Sequence, residues 1–194
     1  MAPVYKLKYF NYMGVAEPIR YLLAYGNIQY ENYVLLLPIA VPFGKLPILE
    51  VDNRVLYHSV ASSKYMAKVV GLLPSDDWEV YEFDSIAEIV YEIIKWNEQE
   101  NQEVKNAWGK EISEVIVPKY LWDLEDILKK KGTFFGGKKW SWVDFYVVGI
   151  LESVLMLVNK NLLSQYPQLN QLWNEIRNVP AIKTYISKRP NYKW

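Results

Sequence analysis

The stretch Pro42-Phe43-Gly44-Lys45-Leu46-Pro47-Ile48-Leu49-Glu50, followed by Tyr57-His58-Ser59, constrains the fold more than any other part of the chain. Proline has no N–H to give to a sheet ladder, so Leu46-Pro47 must open a strand or lie at its edge. The backbone groups of Leu46 are then available for something other than the sheet. A ligand that itself carries a peptide backbone suits that edge, and Tyr9 near the start of the chain supplies a hydroxyl beside it.

The chemistry open to such a site is narrow. Cysteine is absent from the 194 residues, which excludes disulfides, thiolate metal centres and cysteine nucleophiles. Any thiol chemistry must use a thiol from the substrate. His58 is the single histidine, so a metal site or an acid–base pair built on imidazole would depend on that one ring, and no metal is expected. Its neighbour Ser59 is adjacent in sequence, where side chains do not face one another on a helix or strand, which argues against a Ser-His dyad. Lys+Arg and Asp+Glu are equal at 22 each, so no net field draws the protein to nucleic acid or to an anionic membrane. No apolar run approaches the roughly 20 residues needed to span a bilayer, and Met1-Ala-Pro-Val-Tyr-Lys6 lacks the apolar core of a signal peptide. The expectation is a cytoplasmic protein.

Periodicity divides the chain in two. Val4 to Phe10 alternates as a strand; Ala16 to Gly26 reads as a helix with Glu17 and Pro18 in its first turn. Gln29 to Val34 is a second strand, and Pro47–Val51 with Arg54–Tyr57 a hairpin turning at Asp52-Asn53. Ser59 to Val69 is a helix closed by Gly71. Leu72 to Asp77 suits a linker. Beyond it Phe83, Ile86, Val90, Ile93 and Ile94 follow helical spacing, as do Ile112, Val115, Ile116, Tyr120, Leu124 and Leu128. Lys129 to Lys131 before Gly132 complement a helix C-terminus. Ser141-Trp142-Val143-Asp144 opens another helix as a capping box with Asp in place of Glu; Phe145, Val148, Leu151, Leu155 and Val158 follow. Helices over Gln168–Arg177 and Ala181–Lys188 complete the layout. The fold class expected is an α/β thioredoxin-like domain over residues 1–71 followed by an all-α domain over 78–194.

Several features invite other readings. Gly132 to Lys139 nearly spells a phosphate-binding loop but lacks the Ser/Thr that magnesium requires, and a helix precedes it; a turn between helices fits better. Glu98, Glu100 and Glu103, interleaved with Asn and Gln, read as a solvated helix segment or bend. Most of the eight Trp are expected in the core.

Tyr5 to Phe10, Gly14 and Ala16-Glu17-Pro18-Ile19-Arg20-Tyr21 together resemble the opening of sigma-class glutathione transferases. Pro42 to Pro47, Trp142-Val143-Asp144-Phe145, Pro180-Ala181-Ile182 and Lys188-Arg189-Pro190 match the same family's landmarks in order, with an arthropod flavour and a vertebrate relative in haematopoietic prostaglandin D synthase. The resemblance implies a homodimer with glutathione as co-substrate. It places the Tyr9 hydroxyl as donor to the glutathione sulfur and makes a cis Leu46-Pro47 bond the expectation. Lys45, Leu46, Pro47, His58 and Ser59 take glutathione-binding positions, Leu46 and Pro47 beside the cysteinyl backbone and Ser59 at the γ-glutamyl carboxylate. Glu92 corresponds to an aspartate that reaches the partner's site. Met13, Gly14, Val15 and Trp96 would line a cleft for small hydrophobic electrophiles.

The chain also departs from that family. The segment from Tyr33 to Pro42 is several residues shorter and lacks the Trp and Lys that hold the glutathione glycine carboxylate. The family's usual Arg is Val15 and its usual Gln is His58. Two functions follow from the resemblance: a transferase that conjugates glutathione to hydrophobic electrophiles and also reduces lipid hydroperoxides, or a non-catalytic binding or structural protein, as in cephalopod lens crystallins. Intact Tyr9, Leu46-Pro47 and Ser59 favour the first. The lost glycine-carboxylate contacts favour the second.

Overall fold

A computed structural model describes residues 2–36, 42–95, 109, 111–159 and 161–192. The first half forms β1 (Tyr5–Tyr9), α1 (Glu17–Tyr25), β2 (Tyr30–Val34), β3 (Ile48–Val51), β4 (Arg54–Tyr57) and α2 (Ser59–Val69). The strands make one sheet in the order β2-β1-β3-β4, with β1 and β2 parallel and the other pairs antiparallel. Parallel neighbours need a crossover, and α1 supplies it. Along β1 Tyr5, Leu7 and Tyr9 are buried. Lys6 and Lys8 alternate with them and pair with Glu31 at 3.8 Å and Glu50 at 2.5 Å. This is the period-two pattern of a sheet covered by helices on one face.

The end of α1 differs in detail from the usual glycine cap. Gly26 has an ordinary φ of −75° and the left-handed step falls on Asn27, at +51°. Gly26 is needed for closeness instead: a Cβ there would lie 2.5 Å from Cγ1 of Val70, at the end of α2.

The second half is helical: α3 (Asp77–Lys95), α4 (Val117–Lys131), α5 (Trp142–Leu157), α6 (Pro167–Asn178) and α7 (Pro180–Lys188). Asp76 Oδ1 accepts from the N–H groups of Trp78 (3.1 Å) and Glu79 (3.0 Å), so the linker after Leu72 gives way to α3 at a capped start. Before α4 the chain makes a wide π-turn over Ile112–Ile116. Pro118 has no N–H to return to Glu114, which removes one rung of a regular helix there. The wide turn shifts the phase. Val115, expected on the apolar stripe, is exposed, and Val117, Leu121, Leu124 and Leu128 form the buried face.

Helix α5 is the centre of the molecule, buried from Trp142 to Leu155. The Asp144 carboxylate accepts from Ser141 N–H (2.6 Å), Ser141 Oγ (2.8 Å) and Phe135 N–H (2.9 Å), so the expected box also fixes the loop before the helix. Glu125 of α4 caps another helix from a distance, accepting from Gln168 N–H at 3.1 Å and Leu169 N–H at 2.9 Å. Residues 132–139 do form a turn, with Phe134 bridged to Gly137. The tryptophans depart from expectation: Trp142 is fully buried, but Trp78 and Trp122 are exposed and Trp140 and Trp173 only partly covered.

The two halves meet where α1 crosses α5. A Cβ on Gly149 would lie 2.8 Å from the Pro18 nitrogen, so only glycine admits that approach. Beside the contact, Glu17 of α1 pairs with Arg20 at 3.0 Å and with Arg189 at 2.6 Å, and Arg189 also reaches Glu152 of α5 at 2.9 Å.

Candidate functional site

Tyr9 ends β1 with its side chain almost wholly withdrawn from water. The chain then turns, takes a left-handed step at Gly14 (φ +46°) and runs through a short 3₁₀ turn over Gly14–Ala16. That path aims the Val15 N–H at the Tyr9 hydroxyl oxygen, 3.3 Å away. Gly14 permits it twice over, because a Cβ would also sit 2.4 Å from the Tyr9 oxygen and 2.7 Å from Cε2 of Tyr12.

Arg20 holds this turn from below. Its Nη1 donates to the carbonyls of Tyr12 (3.2 Å) and Met13 (3.2 Å) and to Glu17 Oε2 (3.0 Å). The guanidinium carbon lies 5.8 Å from the centre of the Tyr9 ring. Burial pushes the Tyr9 pKa well above that of a free phenol; Tyr12 adds to the rise, and the Val15 N–H and Arg20 oppose it. The group is therefore a neutral phenol, a donor and not a base.

Val15 links two site residues through one residue's backbone. Its N–H meets Tyr9, and its carbonyl accepts from Ser59 Oγ at 2.5 Å. Ser59 opens α2, and its oxygen in turn accepts from the Tyr146 hydroxyl of α5 at 3.3 Å. The Ser59 hydroxyl is thus committed inward. The first N–H groups of α2 have no partners within the helix itself. His58 precedes them with φ +75°, and its ring lies 5.1 Å from that of Tyr91 on α3.

The Leu46-Pro47 bond is cis. Ile48 stands opposite Lys8 in the β1–β3 register, which carries Pro47 to the level of Tyr9. Before it, Phe43 and Gly44 both have positive φ, +59° and +61°, and Phe43 and Lys45 are exposed. Met13, Gly14 and Val15 are buried beside Tyr9. Glu92 is exposed on α3 next to Tyr91. Trp96 lies outside the described residues, as do 37–41 in the short segment before Pro42.

The structure therefore brings Tyr9, Met13, Gly14, Val15 and Ser59 into one constellation, with His58 and Pro47 beside it. Tyr12, Arg20, Tyr91 and Tyr146 belong to the same neighbourhood and were not anticipated. Only Arg20 leaves a sequence signal, the i, i+3 spacing from Glu17. Among the described residues no group of three His, Asp or Glu lies placed to hold a metal ion, and no helix is long and apolar enough to cross a membrane.

With this geometry in view, comparison with known proteins is informative. Residues 87–189 match the family model described as glutathione S-transferase, C-terminal domain. The chain is 33% identical over 201 residues to a glutathione S-transferase of Anopheles gambiae, covering 97% of this chain and 98% of that one. It is 36% identical over 197 residues to the hematopoietic prostaglandin D synthase of Gallus gallus, covering 97% and 98%. The structure of the rat hematopoietic enzyme complexed with a quinoline superimposes with a TM-score of 0.90 at 34% identity, over 99% of this chain and 100% of that one. The structure of a prostaglandin D synthase of Nilaparvata lugens gives 0.87 at 30% identity, over 97% and 99%. The chain belongs to the glutathione transferase family.

Proposed function

We propose that this protein is a sigma-class glutathione transferase of the cytosol, whose soluble thiol pool is glutathione, and that it conjugates glutathione to small hydrophobic electrophiles. Residues 1–71 hold the tripeptide and residues 78–194 supply the far wall of the cleft. One observation carries the reading: Tyr9 is a buried neutral phenol whose oxygen already accepts the Val15 N–H, so its proton is left to donate.

The reaction follows from that donor. A hydrogen bond aimed at sulfur favours the thiolate and lowers the thiol pKa from about 8.5, by one unit for each 1.36 kcal/mol of differential interaction. The thiol proton leaves to solvent, the thiolate forms a bond to the electrophilic carbon, and the leaving group or a protonated adduct departs. With a lipid hydroperoxide, two glutathiones become a disulfide while the peroxide is reduced to an alcohol and water.

Leu46, at the edge before β3, pairs with the cysteinyl backbone, Pro47 fixing that edge. The opening N–H groups of α2 at Ser59 receive the γ-glutamyl carboxylate, as helix N-termini receive anions. His58 and Lys45 flank them. Met13, Gly14 and Val15, beside Tyr9, border the electrophile's cleft. The non-catalytic reading is not favoured, because relatives across the full length are named as transferases and synthases.

The assembly we propose is a homodimer. Trp78, Tyr81, Ile89 and Glu92 are exposed along one stripe of α3. Exposed Phe43 and Tyr57, with rings 4.9 Å apart, add apolar surface at the edge of the sheet. Exposed aromatics at helical spacing are surface that a partner covers, and Glu92 on that stripe is set to approach the partner's glutathione.

Calorimetric titration with glutathione, paired with a conjugation assay on a hydrophobic electrophile, tests the function. Two missing charge-assisted contacts to the glycine carboxylate, at about 1.5–3 kcal/mol each, set the expected affinity near millimolar. No heat of binding and no conjugation at about 10 Kd of that value would overturn the reading.

A further inference from the structure

The segment after α7 returns to α1 and lays two side chains on residues three apart. Arg189 leaves helical geometry at φ −63° and ψ 152° and pairs with Glu17 at 2.6 Å. Pro190 restricts the next φ by its ring. Tyr192 then packs against Arg20, with the guanidinium carbon over the ring and 5.1 Å from its centre. Both partners are withdrawn from water, Arg20 at 1% exposure and Tyr192 at 7%. A cation–π contact stripped of water is the strong form of that interaction.

Hydrogen bonds alone do not fix Arg20. Among the described residues they leave from Nη1, which has two protons for three acceptors: the carbonyls of Tyr12 and Met13, each at 3.2 Å, and Glu17 Oε2 at 3.0 Å. Bonds from a single nitrogen fix a point and leave the guanidinium plane free to swing about it. Nε is buried without a hydrogen-bond partner among the described residues, so it does not set the plane either. The face of the Tyr192 ring supplies that restraint, with the Tyr9 ring also in reach at 5.8 Å. The restraint matters because of what Nη1 holds. The Tyr12 and Met13 carbonyls open the turn that carries the Val15 N–H to the Tyr9 oxygen, 3.3 Å away.

We infer that Tyr192 is a positioning residue for thiol activation: its ring holds the Arg20 guanidinium, Arg20 holds the Tyr12 and Met13 carbonyls, and the turn so fixed sets the Tyr9 hydroxyl against the sulfur. Tyr192 acts through Arg20 and not on the reacting atoms. The link runs by direct contact from beyond α7 to the end of β1. This inference rests on the glutathione transferase reading and deepens it.

Tyr192→Leu keeps apolar bulk and removes the ring face; Tyr192→Phe keeps the face and removes one oxygen. The ultraviolet absorption of bound thiolate, titrated against pH, should move up by about half to one unit in Tyr192→Leu, and conjugation at pH 6.5 should fall about threefold to tenfold. Above the free thiol pKa of about 8.5 the rates should converge. Tyr192→Phe should stay within about twofold of wild type throughout, because its ring still faces the cation. In a Tyr9→Phe background Tyr192→Leu should change neither reading, since the contact acts through the Tyr9 oxygen. Should Tyr192→Leu fail to fold by far-ultraviolet dichroism, Tyr192→Met fills the same space without a ring. A deficit equal at every pH, one shared by Tyr192→Phe, or one that persists without the Tyr9 oxygen marks plain packing and overturns the positioning role, as does an unmoved titration. A wild type that shows no thiolate signal with saturating glutathione overturns the transferase reading, and the positioning role with it.

Discussion

The Arg189 guanidinium lies 2.6 Å from the Glu17 carboxylate, a contact between residues 172 apart in sequence that closes the C-terminal helix onto the first helix. Glu17 is wholly buried and also holds Arg20 and the Tyr185 hydroxyl, at 3.0 and 3.1 Å. Glu152 completes the cluster from α5, accepting from Tyr21, Arg177 and Arg189. Since Arg20 is also the residue that holds the Tyr12-Met13 turn, the same ion cluster joins the two halves and braces the site.

Breaking such a cluster on one side leaves buried charge uncompensated. Glu17→Gln takes from Arg20 the carboxylate it pairs with and leaves Arg189 to Glu152 alone, and should cost about 3–5 kcal/mol. The denaturant midpoint should fall accordingly. Lys129→Ala, which removes an exposed pair with Asp126 at 3.2 Å, should stay within about 0.5 kcal/mol of wild type.

Gly14→Ala tests the turn itself. The new methyl would overlap the Tyr9 oxygen and the Tyr12 ring, and φ of +46° disfavours any Cβ. Tyr9 must shift, and misplacement by about 1 Å costs about a hundredfold in rate. Conjugation should therefore fall about a hundredfold while far-ultraviolet dichroism is unchanged. Equal activity in the variant would show that the Tyr9 position is not used.

What the sequence discloses and what it hides divide along physical lines. Strands β1 to β4, the Asp52-Asn53 hairpin and the Ser141/Asp144 box were legible because alternation, turn chemistry and caps are local. The phase of α4 was not, because a π-turn before Pro118 inserts an extra residue that no hydrophobic count registers. Trp78 and Trp122 misled for a related reason: size suggests burial, but an exposed stripe is set by helix packing. At the site, Tyr9 and Ser59 were placed by neighbours in sequence. Tyr12, Tyr91 and Tyr146 enter only through tertiary contact, and among 16 tyrosines nothing local marks them.

Asp144 should give the fold a pH signature. Complete burial pushes its carboxyl up to about 6, against the pull of the Phe135 and Ser141 donors. A folded pKa above the unfolded value means that the native state binds the proton more tightly, so this contribution is full below about pH 4 and is lost as pH rises through 6. The two-unit difference corresponds to about 3 kcal/mol. Wild type should gain stability relative to Asp144→Asn as pH falls from 7 to 4; parallel stability curves would contradict the assignment.

The α3 stripe predicts an interface. Trp78 and Tyr81 stack at 5.3 Å while remaining 70% and 60% exposed, the kind of aromatic anchor that dominates association. Sedimentation at micromolar protein should give twice the 22.8 kDa chain mass. Trp78→Ala with Tyr81→Ala, at about 2 kcal/mol each, should weaken the dimer near a thousandfold. A wild type that sediments as monomer would remove both the interface and the role of Glu92.

Tyr9→Phe isolates the hydrogen bond to sulfur, because it deletes one oxygen and leaves the ring that packs against Phe10 and Tyr12. Burial keeps the Tyr9 phenol protonated throughout the working range, so the ionisation that sets the rate is that of the thiol. At pH 6.5 the variant must rely on the small thiolate fraction of an unassisted thiol with pKa about 8.5, and conjugation should drop at least about tenfold. Above that pKa the thiolate forms without help and the two rates should converge. A rate at pH 6.5 equal to wild type would assign thiol activation to another group. A deficit that persists undiminished to pH 9 would instead mean that the Tyr9 oxygen acts on a later step, the departure of the leaving group or the placing of the electrophile.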